Sequence, residues 1–479
     1  MIQHGGRIAL KNVPEELRST LYEQNAYFVS GADNSELFRR GRWDGYKRFF
    51  KYRDNSYPVG LNERVKQLIL DFGETYEEKL ETTDAQNIDT EFNAVLRPDY
   101  QVPAVNAVLD SPAGGVISVA TGGGKTVIAA SIIHELHERT VFMVHTKDLL
   151  YQAIAELGKF LGAEHVGQVG DGKVEPNDIT VCTTQTLARY VGFKYVSAKD
   201  ESNQREAAVQ VTPEHKKLVD DMIDRCRVLI WDEVHRVACD MALKVSEVIA
   251  KTHYRVGLSA SPWRDDGADL GIEAAVGPTI YTVSATKLIE LGYLVPPYIN
   301  IVPIPPLPWN RNMPYARLYK LEVVKNTYRN NKILHYYRDL TAQGVSTLIL
   351  VQSVEHGKIL QELISREYDP IEFLSGRDST RRRQQTIDEL KDGTRVGLIA
   401  TVIADEGLDI KRLGGIILAG GGKSSTRALQ RIGRAVRPFE GKDAAFVVDF
   451  DDQHPILHRQ ALMRQAMYRT EPGFRVFSF

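Results

Sequence analysis

Two series of short apolar runs, each run followed by residues at helical spacing, constrain this 479-residue chain more than any other feature. The first series is V-I-S-V-A (116–120), T-V-F-M-V-H (140–145), I-T-V-C-T (179–183), V-L-I-W (228–231) and Y-R-V-G-L-S (254–259). The second is S-T-L-I-L-V (346–351), I-E-F-L-S (371–375), V-G-L-I-A-T (396–401), G-I-I-L-A (415–419) and A-A-F-V-V-D-F (444–450). Runs this short, without polar alternation, suit strands buried on both faces of a parallel sheet with helical crossovers. The expected architecture is two tandem α/β parallel-sheet domains, 92–283 and 309–455. A small α+β module fills 1–91 and a tail fills 456–479. The segment P-P-Y-I-N-I-V-P-I-P-P-L-P (296–308) is the clearest punctuation. Proline locks φ and removes a donor, so the expectation is a junction over 284–308, neither central strand nor helix interior. Residues 77–91 are acidic and read as a solvated linker, and the polar stretch 192–216 as a surface insertion.

Composition excludes several classes. A net charge of −2 gives no whole-chain field for a polyanion, so any nucleic-acid contact must come from local basic patches. The first residues have no apolar signal core and no run reaches the length of a membrane span. Cys182, Cys226 and Cys239 form no C-x-x-C, so free buried thiols in a reducing compartment are expected. The reading is a soluble cytoplasmic protein.

Three strings carry chemistry. V-A-T-G-G-G-K-T (119–126) follows the first buried run and precedes a helical one. Gly122, Gly123 and Gly124 let main-chain N–H groups approach phosphate oxygens, and the following helix adds its positive end. Lys125 then pairs the β- and γ-phosphates of ATP, and Thr126 offers a hydroxyl to Mg²⁺. Val119 stands where the strict phosphate-loop pattern has its first glycine. L-I-W-D-E-V-H (229–235) ends a strand with Asp232 as a Mg²⁺ ligand and Glu233 to polarise the attacking water. His235 is a candidate for coupling that site to the second domain. Q-R-I-G-R-A-V-R (430–437) supplies Gln430 with Arg434 and Arg437, three apart on one helix face and suited to a γ-phosphate. Taken singly, these could be a chance glycine loop, an acidic strand end and a solvated basic face. Their order points to an ATP-driven motor.

The stretch 37–53 holds seven Lys/Arg and one acid among aromatics. Gly41, Asp44 and Gly45 suggest a hairpin. Arg39, Arg40, Arg42, Lys47 and Arg48 could bind a duplex arm, and Trp43 or Tyr46 could stack on an opened base. The alternative is a hairpin whose aromatics pack inward while its charges are solvated, with Trp43 in the core.

The ordered strings resemble the motifs of superfamily 2 helicases over residues 97–437, a family built on two RecA-like domains. R-P-D-Y-Q (97–101) is similar to the adenine-reading element, implying nucleotide contact by Arg97 and Gln101. V-H-T-K-D-L-L-Y-Q (144–152) and T-T-Q-T-L (183–187) resemble strand-contacting motifs, which implies DNA contact by Thr146, Lys147, Thr184 and Gln185. G-L-S-A-S-P-W-R (257–264) resembles the coupling motif, with Ser259 and Ser261 as its hydroxyls. L-S-G (374–376) and A-T-V-I-A-D-E-G-L-D-I (400–410) imply DNA contact by Ser375, Gly376 and Thr401 and nucleotide contact by Gly407 and Asp409. The D-E-V-H box is nearer the XPB, UvsW and restriction-translocase branch than the D-E-A-D RNA helicases. G-R-W-D-G-Y-K-R-F (41–49) is similar to a segment of phage UvsW-type helicases. The resemblance implies a monomeric ATP- and Mg²⁺-dependent motor that remodels branched DNA in recombination, repair and replication. Its partners would be forks, Holliday junctions, single-stranded DNA and RNA–DNA hybrids, in a host cytoplasm if phage-encoded. A duplex-DNA translocase of restriction type and an RNA helicase are the alternatives, and a non-catalytic clamp is disfavoured by Lys125, Glu233 and Arg434.

Overall fold

The computed structural model describes residues 1–4, 6–79, 83–193, 211–260, 268–308, 313–401, 410–422, 432–433 and 435–478. The chain divides into two compact units, Met1–Val119 with Gly124–Val283, and Ala120–Gly123 with Ser284–Phe479.

The first unit begins with the amino-terminal module. Its strands are β1 (Ile2–His4), β2 (Arg7–Ala9), β3 (Ala26–Phe28), β4 (Tyr46–Arg48) and β5 (Ser56–Pro58). They make a β1-β2-β5 antiparallel sheet and a separate β3-β4 pair. Helices Glu15–Gln24 and Asn62–Asp71 bury Leu17, Leu21, Val65 and Ile69 against Ile8, Phe50 and Tyr57. That core continues into Ala274, beyond the module. A Cβ on Gly60 would lie 2.3 Å from the Glu273 carbonyl oxygen, and Arg7 Nη1 is 2.6 Å from Glu247 Oε1. The module is therefore packed against the neighbouring α/β core. Two expectations are corrected here. The basic stretch is no hairpin on itself, because β4 pairs with β3 and Tyr46 lies opposite Phe28. The described residues of the acidic stretch are mostly exposed, as expected, but its second half is fastened and no free linker. Ile88 and Thr90 are buried, the Ile88 N–H donates to the His137 carbonyl at 2.9 Å, and the Gln86 N–H to Glu138 Oε2 at 2.6 Å. One apolar side chain and a row of main-chain donors suffice to fasten it.

The α/β part of this unit is one sheet of eight strands. They are β6 (Gly114–Val119), β7 (Thr140–Val144), β8 (Val166–Gly170), β9 (Lys173–Glu175), β10 (Ile179–Thr183), β11 (Val228–Asp232), β12 (Tyr254–Ser259) and β13 (Thr279–Val283). The order is β13-β6-β12-β11-β7-β10-β8-β9, parallel except for β9 at one edge. Every residue of β6 is buried, as a strand covered on both faces requires. Part of the expected surface insertion is regular: Thr212 caps a helix over Pro213–Arg225, while 194–210 lie outside the described residues. Cys182 and Cys226 are buried, but Cys239 is exposed, contrary to expectation, at the start of helix Asp240–Val248.

The second unit holds β14 (Pro297–Ile304), β15 (Thr347–Val351), β16 (Glu372–Leu374), β17 (Gly397–Thr401), β18 (Gly415–Ile417), β19 (Ala445–Asp452) and β20 (Arg475–Ser478). Their order is β16-β17-β15-β18-β19-β14-β20, all parallel. The proline-rich segment is thus an internal strand, contrary to the expected junction. Pro297 opens it, where a missing donor costs least. β20 pairs only with Tyr298–Ile301, so Pro303 has β19 as its one neighbour and is exposed. The expected tail is corrected too. Helix Pro455–Tyr468 is pinned by Arg464 Nε to Asp449 Oδ2 at 2.8 Å and by the Tyr468 hydroxyl to the same oxygen at 2.8 Å, and it leads into β20. Among the described residues, no helix is long and apolar enough to cross a membrane.

Candidate active site

The loop after β6 turns into helix Lys125–Leu136 through Gly124 at φ +79°. A side chain here would be strained, and a Cβ would meet Gln101 Nε2 at 2.7 Å and Val127 Cγ1 at 3.2 Å. Gly122 also has positive φ, +90°. Lys125 and Thr126 follow at the helix start, both half-buried. The glycine cradle, the helix N-terminus and the ammonium fit a triphosphate.

β11 delivers Asp232 and Glu233 beside Lys125. Lys125 Nζ is 3.9 Å from Glu233 Oε1, close enough for attraction and too far for a tight pair. Glu233 itself sits in the left-handed region at φ +51°, rare for a residue with a side chain, and its N–H donates to Asp232 Oδ1 at 3.0 Å. Burial and the Glu233 charge push the Asp232 carboxyl well above the carboxylate range. Burial opposes ionisation of Glu233 too, but Lys125, His235 and Arg236 outweigh it and hold that carboxyl low. The pair is thus polarised: Glu233 keeps its charge, and Asp232 gains most from a cation. His235 Nδ1 lies 3.3 Å from Glu233 Oε2 and 3.3 Å from Ser259 Oγ at the end of β12. A path of polar contacts therefore runs from Lys125 through Glu233 and His235 to Ser259.

Sequence reasoning missed two members. His145, just past β7, has Nε2 3.3 Å from the Glu233 carbonyl oxygen. Burial pulls its pKa down to about 4, so the ring is neutral and Nε2–H donates, bracing the strained residue. Tyr100 receives Arg97 Nη1 at 3.1 Å and Gln101 Nε2 at 3.3 Å on its hydroxyl, while the Arg97 N–H donates to Gln101 Oε1 at 2.9 Å. This fixes the Gln101 amide against the loop. The only signal for His145 was its place within V-H-T-K; its contact spans 88 positions.

The other candidates divide. Thr146 caps helix Lys147–Leu161, accepting from the Leu149 N–H at 3.3 Å. Lys147 Nζ is 3.3 Å from Asp171, and Gln185 is exposed. Thr184 is buried with its hydroxyl donated to the Val144 carbonyl at 3.1 Å, which leaves no hydroxyl proton for a phosphate. In the second unit Ser375 is buried with its hydroxyl on Asp378 Oδ2 at 3.0 Å, Gly376 is half-buried, and Thr401 is buried at the end of β17. Arg437 is half-buried. Ser261, Gly407, Asp409, Gln430 and Arg434 lie outside the described residues.

The basic strip is more quenched than its composition suggests. Arg40 pairs with Glu36, Arg48 Nη1 with Asp44 at 3.0 Å, and Lys47 Nζ with Asp240 at 2.6 Å. Arg39 Nε donates to the Asp33 carbonyl at 3.1 Å, and Arg42 is exposed. Trp43 is half-buried and its indole N–H is spent on the Tyr46 carbonyl at 2.8 Å. Tyr46 and Tyr52 of the strip expose their rings, and Tyr46 meets the exposed Phe28 edge to face at 5.4 Å.

Family comparisons agree with this layout. The model of the Type III restriction enzyme res subunit matches residues 95–264, and that of the helicase conserved C-terminal domain matches 329–438. The ATP-dependent DNA helicase uvsW of Enterobacteria phage T4 is 23% identical over 473 residues, covering 92% of this chain and 89% of its own. The DNA 3'-5' translocase XPB2 of Sulfurisphaera tokodaii is 25% identical over 71% of this chain and 78% of its own. Three more relatives, one from a filamentous virus of Sulfolobus islandicus and two archaeal, align over 77% to 78% of this chain, which spans 54% to 67% of their lengths. The solved structure of S. cerevisiae Dbp5 bound to RNA and ADP BeF3 shares the fold at TM-score 0.54 and 15% identity, over 79% of this chain and 88% of that one. The two domain matches, in this order and with these relatives, make the chain a superfamily 2 helicase with relatives of the UvsW and XPB kinds.

Proposed function

We propose that this protein is an ATP-driven DNA motor that remodels branched DNA. The observation that carries the reading is the relative named as an ATP-dependent DNA helicase, which aligns across 92% of this chain and 89% of its own. The ATPase reading rests on the site itself. ATP would seat its phosphates on the Gly122–Gly124 loop and Lys125, with its base against Gln101. Mg²⁺ would be held by Asp232 and Thr126. Glu233, kept ionised by Lys125 and His235, accepts the proton of the attacking water. Arg437, with Arg434, would supply positive charge to the γ-phosphate, and His235 with Ser259 would pass the state of that phosphate outward. DNA backbone contacts would come from Lys147, Gln185 and the main chain around Thr184, Ser375 and Gly376, which suits tracking without sequence preference.

The match to a restriction-enzyme subunit favours a second reading, a translocase that runs on duplex DNA without separating strands. Synthetic four-way junctions and forks, beside a linear duplex carrying a third strand, distinguish the two. ATP-dependent branch migration and fork regression are expected. Displacement of the third strand with intact junctions would favour the translocase.

A further inference from the structure

Lys442 follows a turn between the arginine string and β19, outside every motif considered above. Its Nζ is 2.6 Å from the Leu413 carbonyl oxygen, 2.7 Å from that of Arg437 and 3.2 Å from that of Lys411. An ammonium has three N–H donors, and three main-chain carbonyls receive them. Burial and the nearby Arg437 charge pull this lysine down to about 8. Three carbonyl dipoles aimed at Nζ favour the charged form against that pull.

The three carbonyls come from two segments. Lys411 and Leu413 belong to the turn that closes the 400–410 string, where the Leu413 N–H donates to the Ile410 carbonyl at 3.1 Å. Arg437 ends the arginine string. The preceding carbonyl, that of Val436, accepts from the Val295 N–H at 2.8 Å. Two successive carbonyls at the end of the arginine string are thereby fixed, one by main chain and one by a cation.

We propose that Lys442 is a positioning residue for ATP hydrolysis: it locks the end of the arginine string to the turn after the 400–410 string, so that Arg437 reaches the phosphate from a fixed backbone. This rests on the reading of Arg437 as a phosphate-facing residue. Lys442 touches no substrate, so its loss should act on turnover rather than on ATP binding.

The test is a double-mutant cycle on the full chain with Lys442→Met, Lys442→Arg, Arg437→Ala and the Lys442→Met/Arg437→Ala pair, read as DNA-stimulated kcat and KM for ATP. Lys442→Met should lower kcat at least tenfold with KM within a factor of two, and Lys442→Arg should recover part of the loss. In the Arg437→Ala background Lys442→Met should add little, because the residue it positions is gone. An unchanged kcat in Lys442→Met overturns the proposal, and so does an equal loss in both backgrounds, which marks general destabilisation. Full kcat in Arg437→Ala would instead sink the underlying reading of the arginine.

Discussion

The phosphate loop and the amino-terminal basic strip both stood out as glycines beside positive charge, yet the structure treats their charges in opposite ways. Lys125 stands 3.9 Å from its carboxylate, held near it but not spent on it. In the strip, Arg40, Lys47 and Arg48 are already matched to Glu36, Asp240 and Asp44. A charge that stands apart from its nearest carboxylate is available to a ligand. A charge paired at the surface offers a ligand little, because the existing pair must first be broken. The loop should therefore dominate activity, and the strip should adjust affinity.

The largest effect expected is at Glu233. Glu233→Gln keeps shape and removes the base, so ATP turnover should fall about 10²–10⁴-fold while ATP binding persists, measured by steady-state hydrolysis and nucleotide titration. Undiminished turnover would remove the polarised pair from the account. Gly124→Ala comes next. Its Cβ at φ +79° meets Gln101 Nε2 at 2.7 Å, so it should cost about 1–2 kcal/mol in backbone strain alone and weaken ATP binding. Thermal unfolding with and without nucleotide reads both. His235→Ala removes contacts at 3.3 Å to Glu233 and Ser259. Each is worth about 1 kcal/mol, so hydrolysis should fall only a few-fold while strand displacement falls further. Equal losses in the two assays would deny it a coupling role.

In the strip the effects shrink. Arg42 makes no side-chain ion pair among the described residues, whereas Arg40 is held by Glu36. Arg42→Glu should lower the salt dependence of fork binding by about one unit of slope, and Arg40→Glu by less. The reverse ranking would show that the Glu36 pair opens on binding. Smallest is Lys47→Ala, which breaks an exposed pair with Asp240 and should cost only about 0.2–1 kcal/mol in unfolding experiments.

What was legible in the sequence follows the same division between local and distant causes. The strands β10 and β12 fall where the apolar runs placed them, because an uninterrupted buried strand writes itself into five or six consecutive residues. β8, V-G-Q-V-G, and β14, with its prolines, were not read as strands. Their places in the sheets depend on neighbours rather than on their own propensity, and Pro303 is tolerated because β20 stops short of it. The glycine loop and the D-E pair announced the site. The strained φ of Glu233 is a backbone torsion, and the brace from His145 and the loss of the Thr184 hydroxyl to Val144 join segments 88 and 40 positions apart; no local pattern encodes them. The pairing within the strip was hidden for a related reason: the partner of Lys47 is 193 positions away.

The measurement that tests the central claim most directly is steady-state ATP hydrolysis at low salt, wild type beside Lys125→Ala. The arms are no nucleic acid, single-stranded DNA, linear duplex, a fork, a four-way junction and single-stranded RNA. Strong stimulation by branched or single-stranded DNA, abolished in Lys125→Ala, is the predicted result. Stimulation by RNA alone, or turnover that survives the loss of Lys125, would contradict it.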